Sequence, residues 1–538
     1  MKRTIKSIIL ISMFFLFSMN VIAQRNLMGS KERAINVFDG VRNCASWTID
    51  PNNPLDVFDI YDPILKTKKI KFVSSTDSLE FDCKVNEKIY FSIVYKGDTI
   101  HSCLNFTNEI ENSLSKTDKL FALSSFWSEA KYNFVFYDQL NFNWDSLYKA
   151  YIPLIENTKN DFEFYNVINR FARMLKDGHT GVNYSKWGNY STSIPINLRY
   201  FNDTMYVCSG PENFIKNIPL GSKILEINGI KAEDYMERNI YPFVESNIKT
   251  TMQMLTPSML LSSIYDPNDL TLKFKTIEGK ISQTTLKKVI NDISNYLGGK
   301  RRKSKDPIEI KWNNNIAVLE LNTFDDFSGK LVNYFEKIKD TLYFAEGIII
   351  DLRNNGGGST LIANYFLKHI IKDSSFLTYG YQTRINNGVK KATGNYLEEN
   401  EDYYKMSAYH TEFPEAVIIE DSIKQFNCPI VVLTSPMTCS AAEDFLIMLY
   451  ERKDRPLFIG KTSFGSSGSP LVISEWPDKN GYARICTKRQ TFPYSLKPFK
   501  DGITPDIIVN ETYDDYITDR DKTMEIAIEE IKKSIKTK

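Results

Sequence analysis

Four histidines and seven cysteines are few for a chain of 538 residues, and each scarcity excludes something. The cysteines are scattered and odd in number, so they do not form the dense disulfide framework of a small secreted scaffold. In an oxidising compartment at least one thiol stays unpaired. Net charge is missing too: 67 Lys and Arg face 66 Asp and Glu, which gives nucleic acid no electrostatic attraction. The basic stretch at 298–306, Gly-Gly-Lys-Arg-Arg-Lys-Ser-Lys-Asp, therefore reads as a linker or exposed loop rather than a nucleic-acid patch. The apolar run from Ile8 to Phe17 is too short for a stable membrane span. What remains, 42% hydrophobic and 25% charged, is the composition of a folded protein. At ~150 residues per domain it predicts about three or four domains.

Lys2, Arg3 and Lys6 precede the apolar run and Val21-Ile22-Ala23 follows it. That order of charge, apolar stretch and small residue is an export signal with cleavage before Gln24. The first cysteine is Cys44, which argues against a lipid anchor. The expectation is a leader at 1–23 and an exported mature chain, periplasmic or extracellular.

The patterning predicts a multi-domain α+β protein. Alternating runs such as Lys69–Val73 and Lys88–Val94 between Asp, Asn and Gly turns read as a small N-terminal β domain at 24–114. Residues 115–184 change to helical spacing, rich in aromatics such as Phe126, Trp127 and Phe171 and nearly free of Gly, and end on a Lys-Asp-Gly-His-Thr turn. Strand-like runs resume at Ser193–Tyr200 and Thr204–Val207, and Asn228-Gly229 marks a hairpin within a unit at 185–297. Across 298–538, short apolar runs at Ile316–Leu321, Gly347–Leu352, Pro429–Leu433 and Leu457–Ile459 alternate with helical patterns at Gly329–Lys339, Leu361–Ile371 and Ala441–Tyr450. That alternation predicts an α/β core with a mainly parallel sheet covered on both faces.

Two strand–loop–helix units carry features of chemical interest. One runs from Gly347-Ile-Ile-Ile-Asp351 through Asn354-Asn355-Gly356-Gly357-Gly358 into a helix; the other runs from Pro429 through Thr438-Cys439-Ser440 into Ala441-Ala442-Glu443. Each puts free backbone N–H groups of a helix start beside a loop at the carboxyl end of a strand, where developing negative charge is stabilised. The glycine run also fits a phosphate cradle or a bare left-handed turn, but it lacks the Lys of a P-loop and the spacing of a dinucleotide fingerprint. Ser440 fits a capping box with Glu443 as well as it fits a nucleophile. Cys439 is the less suitable nucleophile, since a thiol there is open to oxidation in an exported protein.

A serine nucleophile needs a base. His101 lies in the β domain, His369 on an apolar helix and His410 in a polar, Tyr-rich loop. His179, in the Asp177-Gly178-His179-Thr180 turn, is the best placed, with a cation favoured by the dipole at a helix C-terminus as the lesser alternative.

These motifs, followed by Gly460-Lys461-Thr462-Ser463-Phe464-Gly465 and Asp501-Gly-Ile-Thr-Pro-Asp506, form an ordered set. The set resembles the C-terminal-processing and tricorn-core family of serine peptidases. The resemblance covers about Ser115 to the C-terminus and leaves the first β domain outside. It implies a crotonase-like core, a PDZ-like module over 185–297, a polypeptide substrate, and no metal or other cofactor. It also implies Ser440 as nucleophile and the N–H groups of Ala441 and of Gly356 or Gly357 as oxyanion hole. The processing branch takes its base from a Lys just after the Thr-Phe-Gly motif, a position held here by Ser466, and Lys461 lies on the wrong side of that motif. The tricorn-like branch takes a His at the position of His179, so the resemblance implies a Ser–His mechanism. Tricorn-like members carry Ser where this chain has Gly178, and an acid where it has Phe499 and Lys500. Asp501, Asp177 and Glu443 all remain open as the acid that orients the imidazole. The competing reading of the same chain is a catalytically inactive peptide-binding protein. Oligomeric state is not legible.

Overall fold

The computed structural model describes residues 112–289 and 306–537, together with the backbone of the strands between 33 and 105 and of Tyr296–Gly298. The leader at 1–23 and most of the basic stretch at 298–306 lie outside the described residues. The chain divides into two compact units, 1–111 and 112–538. In the first, Asn43–Ile49, Arg33–Asp39, Lys88–Tyr95 and Asp98–Asn105 form one antiparallel sheet in that spatial order, and Asp56–Asp62, Thr67–Val73 and Ser78–Lys84 form a second.

The second unit begins with three helices, Lys116–Asn133, Trp144–Glu156 and Asp161–Arg173. Ser115 opens the first through a capping box with Asp118, and Asn143 and Asn160 cap the other two, each cap contributing about 1 kcal/mol. Their shared core is aromatic, with Phe126, Trp144 and Phe171 buried and the last two rings stacked at 4.4 Å. The helices do not close this core alone. Strand Gly181–Tyr184 pairs with Gly481–Cys486, and Ala483 and Ile485 fill the remaining space from some 300 positions away.

Residues 193–289 build an antiparallel sheet around Thr204–Pro211, Lys223–Ile227 and Leu270–Lys275, backed by the helices Ala232–Asn239 and Lys249–Leu261. Its hairpin turns at Asn228 and Gly229, both at positive φ, as a tight two-residue turn requires.

The six-stranded core sheet runs Ile308–Asn313, Ile316–Leu321, Gly347–Asp351, Ile430–Thr434, Leu457–Gly460, Ile507–Ile508. All neighbours are parallel except the first pair. Alternation along the strands sends Ile348 and Ile350 to the face covered by helices Lys330–Leu342, Thr360–Ile370 and Ala441–Tyr450, and Ile349 to the face covered by Lys522–Thr537. Both faces are thus dry, and the loops at the strands' carboxyl ends are the part of the sheet left open to chemistry.

Candidate active site

Ser440 ends the loop after Ile430–Thr434 and precedes the helix Ala441–Tyr450, with φ 57° and ψ −125°. A side chain held there costs roughly 1–3 kcal/mol and persists only when the surroundings enforce it. Here they do. The Cys439 N–H donates to the Asn355 carbonyl at 3.1 Å, the Ser440 N–H to the Ser466 carbonyl at 3.2 Å, and the Thr438 hydroxyl to the Leu352 carbonyl at 2.9 Å. The Ser440 side chain makes no capping bond. The Glu443 N–H goes instead to the Ser440 carbonyl at 2.7 Å, so the capping-box geometry is not what this serine adopts.

Helix Asp161–Arg173 stops in a turn in which Lys176 takes φ 54°. The Lys176 ammonium donates to the carbonyls of Tyr241 and Pro242 at 2.6 and 2.8 Å, anchoring the turn to the 193–289 unit, and burial lowers its pKa to about 8. Beyond it, His179 lies with Nε2 3.3 Å from the Ser440 Oγ and Nδ1 2.7 Å from the Ser466 Oγ. The Ser466 hydroxyl donates to Asp177 Oδ1 at 3.0 Å. A hydroxyl that spends its proton on Asp177 offers only lone pairs to the ring, which assigns the imidazole proton to Nδ1 and leaves Nε2 to accept from Ser440. Burial holds the His179 pKa below its ordinary value; Asp177 opposes that shift, and Arg484 and Lys488 add to it.

The three acids singled out from sequence fall in different places. Asp501 is exposed and has no hydrogen bond to the imidazole. Asp177 is buried and reaches the ring through Ser466. Glu443 is buried beneath the loop Ser463–Ser466, accepting from the Ser463 hydroxyl at 2.5 Å, the Gly465 N–H at 2.7 Å and the Ser466 N–H at 3.0 Å. Burial raises its pKa to about 8 in spite of those three bonds. At the position where the resemblance expects an acid, Phe499 is packed into the core and Lys500 faces solvent.

The glycine loop meets Ser440 directly. A Cβ built on Gly357, whose φ is 104°, would stand 2.6 Å from the Ser440 Cβ and 3.0 Å from the Ala441 nitrogen, whereas one on Gly356 would meet nothing within 4 Å. The Gly357 N–H donates to the Asn355 side chain at 2.9 Å and is thereby occupied. Gly178 has its own reason: a side chain there would strike the Phe464 ring at 2.6 Å.

The other histidines are elsewhere. His369 is buried against Tyr343 and the Lys424 carbonyl, His410 is exposed beside Glu412, and the side chain of His101 lies outside the described residues. Burial lowers the Lys461 pKa, with Arg199 adding to the shift and Glu511 opposing it. Burial raises the Cys439 thiol well above its ordinary range, the reverse of an activated thiolate. No cluster of metal-ligating side chains occurs among the described residues. Sequence reasoning missed Ser466 as the partner of His179; the available signal was its place directly after the Thr-Ser-Phe-Gly motif.

Residues 315–509 match the sequence model of peptidase family S41. No curated protein matches the chain. Among solved structures, mature CPAF complexed with lactacystin is similar over 79% of this chain and 99% of its own, at 14% identity and a TM-score of 0.58. Mature CPAF by itself is similar over 78% and 97%, at 16% identity and a TM-score of 0.58. At such identities the likeness is one of fold.

Proposed function

We propose that this chain, a serine-type peptidase of family S41, cleaves peptide bonds with Ser440 as nucleophile and His179 as general base. The observation that carries the reading is the 3.3 Å approach of His179 Nε2 to the Ser440 Oγ, between residues 261 positions apart. The Ser440 proton passes to Nε2 as Oγ attacks the peptide carbonyl. The resulting oxyanion lies against the N–H of Ala441, first in its helix, and that of Gly356, since Gly357 is bound to Asn355. Collapse breaks the C–N bond, and His179 returns the proton to the leaving amine. Water then repeats the sequence on the acyl-enzyme, releasing the acid and regenerating Ser440. The base contributes about 10²- to 10⁴-fold in rate and an oxyanion donor about 3–4 kcal/mol.

We read 185–297 as the PDZ-like module and the sheet of 308–508 as crotonase-like. Strand Asn197–Phe201 pairs with Thr204–Pro211 along one edge and has helix Lys249–Leu261 beside it, an arrangement suited to holding an extended polypeptide by strand addition. We also read 1–23 as a leader and the enzyme as exported; among the described residues no helix is long and apolar enough to cross a membrane.

A fluorophosphonate probe tests the reading. Label is expected on the wild type, none on Ser440→Ala, and a rate at least about 100-fold lower on His179→Ala. An unlabelled wild type would leave the inactive peptide binder, and full labelling of His179→Ala would remove the imidazole from the mechanism.

A further inference from the structure

We propose that Ser466 and Asp177 form a positioning relay for His179, in which the serine hydroxyl carries the influence of a buried carboxylate to an imidazole it does not touch. The proposal rests on the reading of His179 as base. Three observations support it. The contacts are short, 2.7 Å from His179 Nδ1 to the Ser466 Oγ and 3.0 Å from that oxygen to Asp177 Oδ1. Both Ser466 and Asp177 are less than a tenth exposed, so water competes little for these bonds. The other oxygen of Asp177, Oδ2, is buried without a protein partner. A carboxylate left half satisfied in the resting enzyme gains most when a positive charge forms nearby, which is what protonation of His179 supplies.

A side chain at 178 would collide with Phe464, so the residue before His179 supplies no hydroxyl and the bridging one comes from the opposite loop. No proton travels along the relay: Ser440 gives its proton to Nε2, Nδ1 keeps its own, and Ser466 keeps its bond to Asp177.

The charged groups around His179 are Asp177, Arg484 and Lys488; Arg484 also donates to the Gly178 carbonyl. Burial is the main cause of the shifts of Arg173, Cys439 and Cys486, lowering the first and raising the two thiols, and the charge of Asp177 acts on all three as well. Asp177 is the member of this set that favours the protonated imidazole.

Ser466→Ala removes only the hydroxyl, because the bonds of its backbone to Glu443 and Ser440 remain. It is expected to lower kcat by about 10- to 100-fold with little change in KM, and Ser466→Thr is expected to restore most of the loss. Asp177→Asn is expected to lower kcat similarly and to move the acid limb of the kcat/KM profile to lower pH, since the group that raises the His179 pKa has gone. Wild-type kcat in Ser466→Ala, or an acid limb unmoved in Asp177→Asn, overturns the relay. His179→Ala run in parallel separates the two levels: if it too keeps wild-type turnover, the base assignment has failed, and if it alone is silenced, only the relay has.

Discussion

Gly347–Asp351 and Ile430–Thr434 are adjacent parallel strands, each followed by a loop and a helix, yet their loops are made of opposite materials. The first relies on glycine, with Gly357 and Gly358 at positive φ; the second places a serine in a conformation that favours glycine. The two choices depend on each other. Where two backbones approach this closely there is room for one side chain, and a Cβ on Gly357 would occupy the space of the Ser440 Cβ. One loop gives up its side chain so that the other can point a hydroxyl at His179. The strain at Ser440 is held by bonds from Cys439 to the glycine loop and from Ser440 itself to the Ser466 loop.

The most severe way to break this asymmetry is to remove the hydroxyl. Ser440→Ala should lose turnover on the order of 10⁴-fold or more in a peptide-cleavage assay. Ser440→Gly should be equally inactive yet more stable than Ser440→Ala by about 1 kcal/mol, because Ala keeps the strained Cβ and Gly does not. Equal melting temperatures for the two would show that the strain is not borne by this residue. Next comes the other partner. Gly357→Ala should cost about 1–3 kcal/mol in stability and at least about 100-fold in activity through displacement of Ser440. Gly356→Ala, with open space around it, should stay within a few-fold of wild type. Denaturant melts and kcat/KM for the pair measure the difference directly.

The comparison also shows how much the sequence could reveal. Runs at Ile316–Leu321 and Ala441–Tyr450 become a strand and a helix with those bounds, because continuous apolar strands and helical periodicity are local properties. The Asn228-Gly229 hairpin was readable because positive φ demands those residues. Three other features depended on distant contacts. The helical segment borrows Gly481–Cys486 to close its core, Ser466 reaches His179 across 287 positions, and Asp177 rather than Asp501 reaches Ser466. Nothing in the local pattern around these residues distinguishes a surface carboxylate from a buried one. The Ser440–Glu443 spacing fits a capping box as well as a nucleophile, and only the fold separates the two: the Ser440 side chain makes no capping bond, and the Glu443 carboxyl group accepts from Ser463, Gly465 and Ser466.

Glu443 gives the comparison a smaller, pH-dependent test, since it ties the serine's helix to the Ser466 loop. Its pKa is raised by burial to about 8, well above the value of an unfolded glutamate. Between those two values the folded state binds the extra proton, so its contribution to stability is full at low pH and is lost as pH rises toward 8. Melting temperature should therefore fall between about pH 5 and 8, and Glu443→Gln, which cannot ionise, should show a shallower slope. The Gln variant should also be modestly less active, because its amide N–H₂ meets donors where the carboxyl group accepted three bonds. An identical slope in both proteins would place the titration elsewhere.

Lys461 sets the lower bound of expected effects. It lies five residues before Ser466, and a lysine near a nucleophilic serine is the natural rival to a histidine base. Its backbone is engaged at the carboxyl end of the same parallel sheet, its N–H donating to the Thr434 carbonyl at 3.1 Å and its carbonyl accepting from the Thr434 hydroxyl at 2.9 Å. Those bonds belong to the main chain and survive truncation of the side chain. The ammonium is under the influence of Glu511 and Arg199, while Ser440 has its hydrogen-bond partner in His179. Lys461→Ala should accordingly leave kcat within about twofold of wild type, the range of a substitution that removes no catalytic contact. If Lys461→Ala abolished turnover and His179→Ala retained it, the loops would have to be rearranged before reaction to bring the lysine to Ser440. The 2.7 Å bond from His179 to Ser466 is the contact that such a rearrangement would have to break.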